Sequence, residues 1–215
     1  MTLRAIKRPP RTKRAQYHHG NLKQALVGAT VKLIEERGVE KVSVREAAKR
    51  VGVSSGAPFR HFPTRTALLT AVAEQAMRLL LDAMTDALAR HRNAGPMERF
   101  RALGGAYMRW AIAHPTQFAI VSNRKLIDYD GSASLGPDND KIRALMDGVL
   151  RDARAHGLLR SNNVDEIVLA ARATAYGVAR MHVDGHFAQW AKGHSARNVF
   201  ESVFDLFISA ISADA

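Results

Sequence analysis

Residues 38–69 read GVEKVSVREAAKRVGVSSGAPFRHFPTRTALL, and the punctuation of this stretch decides the fold. Ser43 with Glu46 three residues later is a capping box, the signature of a helix N-terminus. The helix it opens carries Ala47, Ala48 and Val51 and is stopped by Gly52 after about two turns. Ser54 is the next N-cap candidate, followed by Ser55, Gly56, Ala57, Pro58, Phe59, Arg60, His61 and Phe62, with Pro63 ending the segment. Two short helices joined by a tight, glycine-containing turn read as a helix-turn-helix.

Working outward, Leu22, Leu26, Ala29 and Leu33 fall at i, i+4, i+7 and i+11. That period predicts a helix over 22–37, with Asn21 as its N-cap, Gln24 three residues on and Gly38 as its stop. Upstream, Arg4, Lys7, Arg8, Arg11, Lys13 and Arg14 surround Pro9 and Pro10 with no acid among them, and residues 1–19 are expected to be a flexible basic arm. Downstream, Thr64 opens a long helix in which Leu68, Val72, Ala76, Leu79, Ala83 and Leu88 keep a helical period to about Arg92. Past Asn93-Ala94-Gly95-Pro96, a further helix carries Phe100, Leu103, Tyr107 and Trp110 to His114-Pro115, and a short apolar piece, Phe118 to Val121, follows. Residues 128–140 have the composition of a loop. Ile142, Leu145, Val149 and Leu150 mark a helix stopped by Gly157. Val164 to about Val183 and Ser195 to about Ile211 are the last two, the second lined by Val199, Val203, Phe207 and Ile211. No stretch reads as a strand, so the expected class is all-α, a three-helix head on a six-helix body.

The chain has 32 Lys and Arg against 20 Asp and Glu, a net charge of +12 in 215 residues. The excess is concentrated: residues 1–62 hold 14 basic and 4 acidic residues, residues 63–215 hold 18 and 16. A basic head points to a polyanionic partner. With no cysteine, a disulfide framework, a thiolate zinc site and a cysteine nucleophile are excluded. No apolar run approaches the roughly 20 residues that cross a bilayer, and the basic N-terminus lacks the apolar stretch of a secretory signal. The expectation is a soluble, cytoplasmic protein with no membrane partner.

Residues about 19–70 resemble the DNA-binding head of the tetracycline-repressor (TetR) family of bacterial transcription regulators. Gly38, Val42, Ser43, Val44, Ala47-Ala48, Val51-Gly52-Val53-Ser54 and the string from Phe59 to Leu69 carry the resemblance. Beyond residue 71 the chain resembles the family as a run of helices of suitable number and length. Tyr107 to Phe118, with His114-Pro115, and Ala175-Tyr176-Gly177-Val178 are similar to one type of regulatory domain in the family, with Tyr176 where a histidine is expected.

The resemblance implies a helix-turn-helix domain over 20–66 and a ligand-binding and dimerisation domain over 67–215. It implies a sequence-specific regulator, a repressor, that binds a double-stranded DNA operator and leaves it when a small apolar or aromatic effector binds. It further implies a homodimer held through the helices 164–183 and 195–211. Expected DNA-facing residues are Ser43, Ser54, Ser55, Gly56, Ala57, Phe59, Arg60, His61 and Arg65. Ser54 to Ala57 are small enough to approach bases in a major groove about 12 Å wide, with Phe59 and Phe62 as anchors behind them. By resemblance Phe59 stands where a tyrosine hydroxyl would reach a phosphate, and Arg65 keeps the charge of the usual lysine. Tyr107, Trp110, Phe118, Tyr176 and His182 are the expected lining of an effector site.

Several residues admit a plainer role. Ser43 already works as a cap, with a phosphate contact as an addition at the helix N-terminus. The arm is a solvated tail or a minor-groove ligand, and His61 either packs behind Phe62 or reaches DNA. Tyr107, Trp110 and Phe118 fill a core or line a pocket. His182 and His186, four apart with Asp184 and His194 nearby, raise a metal site, but Gly185 between them weakens the helix, and no metal or other cofactor is expected. Nucleophile elbows, phosphate-binding glycine loops and paired catalytic carboxylates are all missing from the sequence, so the expectation is not an enzyme. The competing class is a helical enzyme or carrier whose basic head binds RNA or membrane surfaces.

Overall fold

Leu22, Leu26, Ala29 and Leu33, the positions picked out by their spacing, are all buried on α1 (Leu22–Arg37). The computed structural model describes residues 22–213, so the basic arm 1–19 and the Asn21 cap lie outside the described residues. In α2 (Val44–Val51) the Ser43 side chain accepts from the Glu46 N–H at 3.1 Å, a cap that contributes about 1 kcal/mol. The Glu46 carboxylate pairs with Arg37 of α1. Gly52 ends α2 at φ 76° and sends its N–H to the carbonyls of Ala48 and Lys49. That left-handed conformation is cheap only for glycine.

The next element differs from expectation. Ser54 does not cap an α-helix; Ser54 to Gly56 form a turn, and Ala57–Arg60 is a single 3-10 turn. Pro58, which lacks an N–H, sits inside it, and the short segment is closed by the Phe62 N–H bonding to the Pro58 carbonyl at 2.9 Å. The anchors also differ. Phe62 is 2% exposed, whereas Phe59 is 39% exposed and does not hold the segment to the head; buried Pro58 takes that place.

α3 (Arg65–Arg90) begins with Thr64 accepting from the Ala67 N–H at 3.0 Å. Its buried stripe is Leu68, Val72, Ala76, Leu80, Met84 and Ala87, and the expected Leu79 faces solvent. Leu79, Leu80 and Leu81 are consecutive, so the period alone could not choose which leucine turns inward. α4 (Pro96–Ala113) and α5 (Pro115–Val121) each start on a proline, whose missing N–H is an orphan at that position anyway.

The expected loop 128–140 is too long, because α6 (Leu135–Ala155) starts inside it. Leu135 is fully buried, Pro137 falls in the first turn where it is tolerated, and Asp138 is buried with Lys141 at 2.9 Å and Arg78 at 3.5 Å. A carboxylate at a helix N-terminus is favoured by the helix dipole. The polar composition thus serves a helix start and an ion pair. α7 (Val164–Val183) and α9 (Ala196–Ile211), capped by Asn163 and Ser195, follow expectation. Between them lies a short α8 (Phe187–Trp190) that no period in the sequence marks.

Among the described residues there is no strand, and one isolated bridge joins Leu159 to Ser212. In the body, α3 packs on α4, α5 and α6, while α4 packs on α6, α7 and α9. The head, α1 to the Phe62 turn, rests on the start of α3, and α1 also touches α5. The expected boundary at residue 66 falls in the first turn of α3, which runs unbroken from the head into the body.

Candidate functional site

Most of the residues expected to face DNA or an effector fall in two places. The first is the head. Ser54, Ser55, Gly56, Phe59, Arg60 and His61 are exposed or nearly so, while Ser43, Ala57 and Arg65 are half-buried. The Ser43 oxygen accepts one bond as a cap, which leaves its O–H as a donor. Gly56 has φ −85° and nothing within 4 Å of the place a Cβ would take, so the fold leaves this position open. His61 lies 6.4 Å from Phe62, ring to ring, and its side chain reaches solvent.

Arg65 has an occupation that its sequence did not reveal. Its Nε donates to the Val42 carbonyl at 3.0 Å and its Nη2 to the Val39 carbonyl at 2.7 Å, with Glu40 at 4.0 Å. The first turn of α3 thereby grips the connection between α1 and α2. Five N–H groups fork from a guanidinium, so donors remain for a second partner. On the far side, Arg50 makes a two-pronged pair with Glu36 at 2.6 Å, and the hydrogen bond from Arg50 holds the Glu36 carboxyl below its ordinary range.

The second place is a cavity of about 210 Å³ inside the body, between α3, α4, α5, α6, α7 and α9. Tyr107, Trp110, Phe118 and Tyr176 line it in a chain of rings whose successive centroids are 5.9, 6.0 and 5.7 Å apart. Met77, Met84 and Met146 add an adaptable wall. His182 is not in the lining; it is half-buried with its ring 5.6 Å from Phe187. Nor does it share a helical face with His186, because α7 ends at Val183 and Gly185 turns the chain at φ 79°. Among the described residues, no three His, Cys, Asp or Glu side chains gather where they could hold a metal ion.

Sequence reasoning missed two charged members of the lining, Arg172 and Arg124. Arg172 lies four residues before Tyr176, so the shared face of α7 was legible; Arg124 belongs to an irregular connection with no period to read. Arg172 Nη1 donates to the Tyr107 hydroxyl at 2.6 Å, and its guanidinium lies 5.0 and 5.4 Å from the ring centres of Tyr107 and Tyr176. Burial pushes the Tyr107 phenol above its ordinary pKa, against the opposing effect of Arg172. The Arg124 guanidinium lies over the ring of Tyr129, another lining residue.

α3 connects the two places. Thr70 Oγ1 accepts from the Asp128 N–H at 2.9 Å, and the Ser132 hydroxyl donates to Glu74 at 2.7 Å. The connection that bears Arg124 and Tyr129 is therefore tied to the helix whose first turn grips the head and whose middle, at Met77, Leu80 and Met84, forms a cavity wall.

Both parts of the chain are similar to known proteins. Residues 26–72 match the bacterial regulatory proteins of the tetR family. The HTH-type transcriptional regulator BetI 1 of Chromohalobacter salexigens is 36% identical over 84 residues, 38% of this chain and 40% of that protein. The match thus spans about two fifths of such curated relatives. A protein of unknown function from Rhodococcus sp. RHA1 superimposes with a TM-score of 0.78 at 28% identity, covering 93% of this chain and 100% of that one. The TetR family transcriptional regulator PfmR from Thermus thermophilus shares the fold, with a TM-score of 0.70 at 22% identity over 86% of this chain and 97% of its own. Residues 100–207, half of the chain, match the tetracyclin repressor-like C-terminal domain, and with the head and body so matched the chain belongs to the tetracycline-repressor family.

Proposed function

We propose that the chain is a ligand-responsive regulator of transcription that binds a specific operator in duplex DNA and, acting as a repressor, leaves it when a small molecule enters the body cavity. The observation that carries this reading is the bare turn that leads into the 3-10 segment of the head, Ala57–Arg60. Ser54, Ser55 and Gly56 are all exposed, with nothing larger than a hydroxymethyl group to hold the backbone away from base edges. Ser55, Gly56, Ala57 and Arg60 read bases in this account, while Ser43, His61 and Arg65 contact phosphates that set register. Phe59, exposed and without a hydroxyl, packs against the sugar-phosphate edge.

One head covers a half-site, so useful affinity requires two heads about 34–36 Å apart, or a multiple of that, around a two-fold axis. The seam of the homodimer is built from α7 and α9. Val199, Val203 and Leu206 recur at i, i+4 and i+7 on α9, the first two partly exposed and Leu206 71% exposed. Leu169 of α7 is 70% exposed. An apolar stripe of this kind on adjacent helices is the sort of surface that a second copy covers.

Control runs through α3. A ligand acts only by binding one arrangement of the heads better than another, and moving the balance from mostly competent to mostly incompetent takes on the order of 5 kcal/mol of differential binding. The hydrogen bonds at Thr70 and Glu74 give a ligand at the cavity mouth a grip on that helix. The reading implies a cytoplasmic protein without catalytic duty, and among the described residues no helix is long and apolar enough to cross a membrane.

Gel-shift titration against genomic duplex fragments, random duplex and RNA at several salt concentrations tests the reading. It requires a subset of fragments bound above the salt-dependent background, and release of those fragments by members of a panel of aromatic and aliphatic compounds, with Trp110→Ala as the cavity control. Equal affinity for all polyanions refutes it. Release that is unchanged in the Trp110 variant moves the effector elsewhere.

A further inference from the structure

We infer that the effector is an amphipathic carboxylate, its apolar body among the aromatic side chains and its carboxylate held by Arg172 at the mouth. The inference rests on the reading of the cavity as an effector site and adds the charge of the ligand to it. Three observations carry it. The first is the sign of the lining: Arg172 and Arg124 are its only charged members among the described residues, with no Asp or Glu beside them. Acids do occur next door, since Asp165 and Glu166 line the adjoining groove beyond Arg172, but Asp165 is paired there with Arg143 at 3.5 Å.

The second is the state of the arginines. Each rests on aromatic rings, and Arg172 spends one N–H on the Tyr107 hydroxyl. Among the described residues no carboxylate forms an ion pair with either. An arginine is weakly hydrated, and its fork matches a carboxylate with two parallel hydrogen bonds. Tyr107 positions that fork, and because its oxygen is already an acceptor for Arg172, its own proton is left to donate.

The third is an orphan. Trp110 is 4% exposed, lines the cavity, and its Nε1 has no hydrogen-bond partner. A buried donor without an acceptor costs about 1–3 kcal/mol, a deficit that an acceptor-rich ligand removes. Donors thus outnumber acceptors in the lining, whose other polar side chains are Ser122, Tyr129, Asn139 and Tyr176. A neutral hydrocarbon would leave the donors unanswered and a cation would meet two like charges. The size follows from the cavity of about 210 Å³: since a dry cavity of roughly 150 Å³ admits benzene, this one takes a ring with a short chain or an acyl chain of comparable bulk.

Matched acids and amides test the charge while holding shape constant. The probes are 3-phenylpropanoate against 3-phenylpropanamide and octanoate against octanamide, read by calorimetry on the full chain. The acid of at least one pair is expected to bind roughly ten- to hundredfold more tightly than its amide, the range of a charge-assisted hydrogen bond. Arg172→Gln should erase that preference. Arg172 is exposed, so the variant should fold; Arg172→Lys, which keeps the charge but loses the fork, should retain only part of the preference. Equal binding of acid and amide, or an unchanged preference in Arg172→Gln, overturns the carboxylate while leaving the cavity as the effector site. Failure of every probe to bind overturns the carboxylate inference, and release of DNA by other, uncharged compounds would then show whether the effector site itself survives.

Discussion

Removing Arg65 should damage two properties that a conservative replacement can separate. Its guanidinium holds the carbonyls of Val39 and Val42 at 2.7 and 3.0 Å, and a bond from a charged donor is worth about 1.5–3 kcal/mol. The side chain is 36% exposed, so water re-solvates the freed carbonyls and the two bonds together should count for about 1.5–3 kcal/mol. For a chain of this length each kcal/mol moves Tm by about 2–4 °C, so Arg65→Ala should melt roughly 3–12 °C lower. The same variant should weaken binding to every duplex alike and reduce the salt slope by about one. Arg65→Lys restores a positive charge but cannot fork across both carbonyls. It should recover the slope and less than half of the lost stability. Thermal denaturation by circular dichroism and anisotropy titrations from about 50 to 200 mM salt read both quantities. An alanine variant with wild-type Tm would refute the structural role; a lysine variant with the slope of alanine would refute the phosphate contact.

Gly56→Leu should abolish specific duplex binding with no change in Tm beyond about 1 °C, since the position has an ordinary negative φ and open space around it; retained operator affinity would move the reading segment elsewhere. Gly104→Ala should lose up to about 2 kcal/mol in urea denaturation, because the added Cβ collides with the Phe204 ring and overpacking of about 1–3 kcal/mol outweighs the helix-propensity gain of alanine, about 1 kcal/mol. Leu206→Glu, on a side chain 71% exposed in the single chain, should leave the fold intact and turn a dimer into a monomer at micromolar concentration by light scattering. A persistent dimer would displace the seam from α9.

Helix termini are legible in the sequence because they are written in local chemistry: Ser43, Gly52, Thr64 and Ser195 each act within three or four residues of chain. The α6 start is hidden because Asp138 looks like a loop residue until Arg78, sixty residues earlier, is beside it. Leu79 passes for a core residue because three adjacent leucines offer no local choice, and only the packing of α3 on its neighbours makes one. The Ser54 segment is shorter than a cap and an apolar end suggest, since Pro58 limits its hydrogen bonds to one turn. For the cavity, aromatic side chains at helical spacing mark the wall, whereas the charge at its mouth depends on Arg124 and Arg172, brought together by tertiary structure from separate segments. Arg65 is the sharpest instance. Its charge is readable, but its grip on Val39 and Val42 spans more than twenty residues.

The central claim is that the head selects a DNA sequence, and the most direct measurement is sequencing of the duplex fragments that the purified chain retains from sheared bacterial genomic DNA at physiological salt. The account predicts enrichment of a small set of fragments sharing an inverted repeat, with half-site centres about 10–10.5 base pairs apart or a multiple of it, and loss of that enrichment in Gly56→Leu. Uniform recovery of the genome, or the same enrichment in Gly56→Leu, would contradict it.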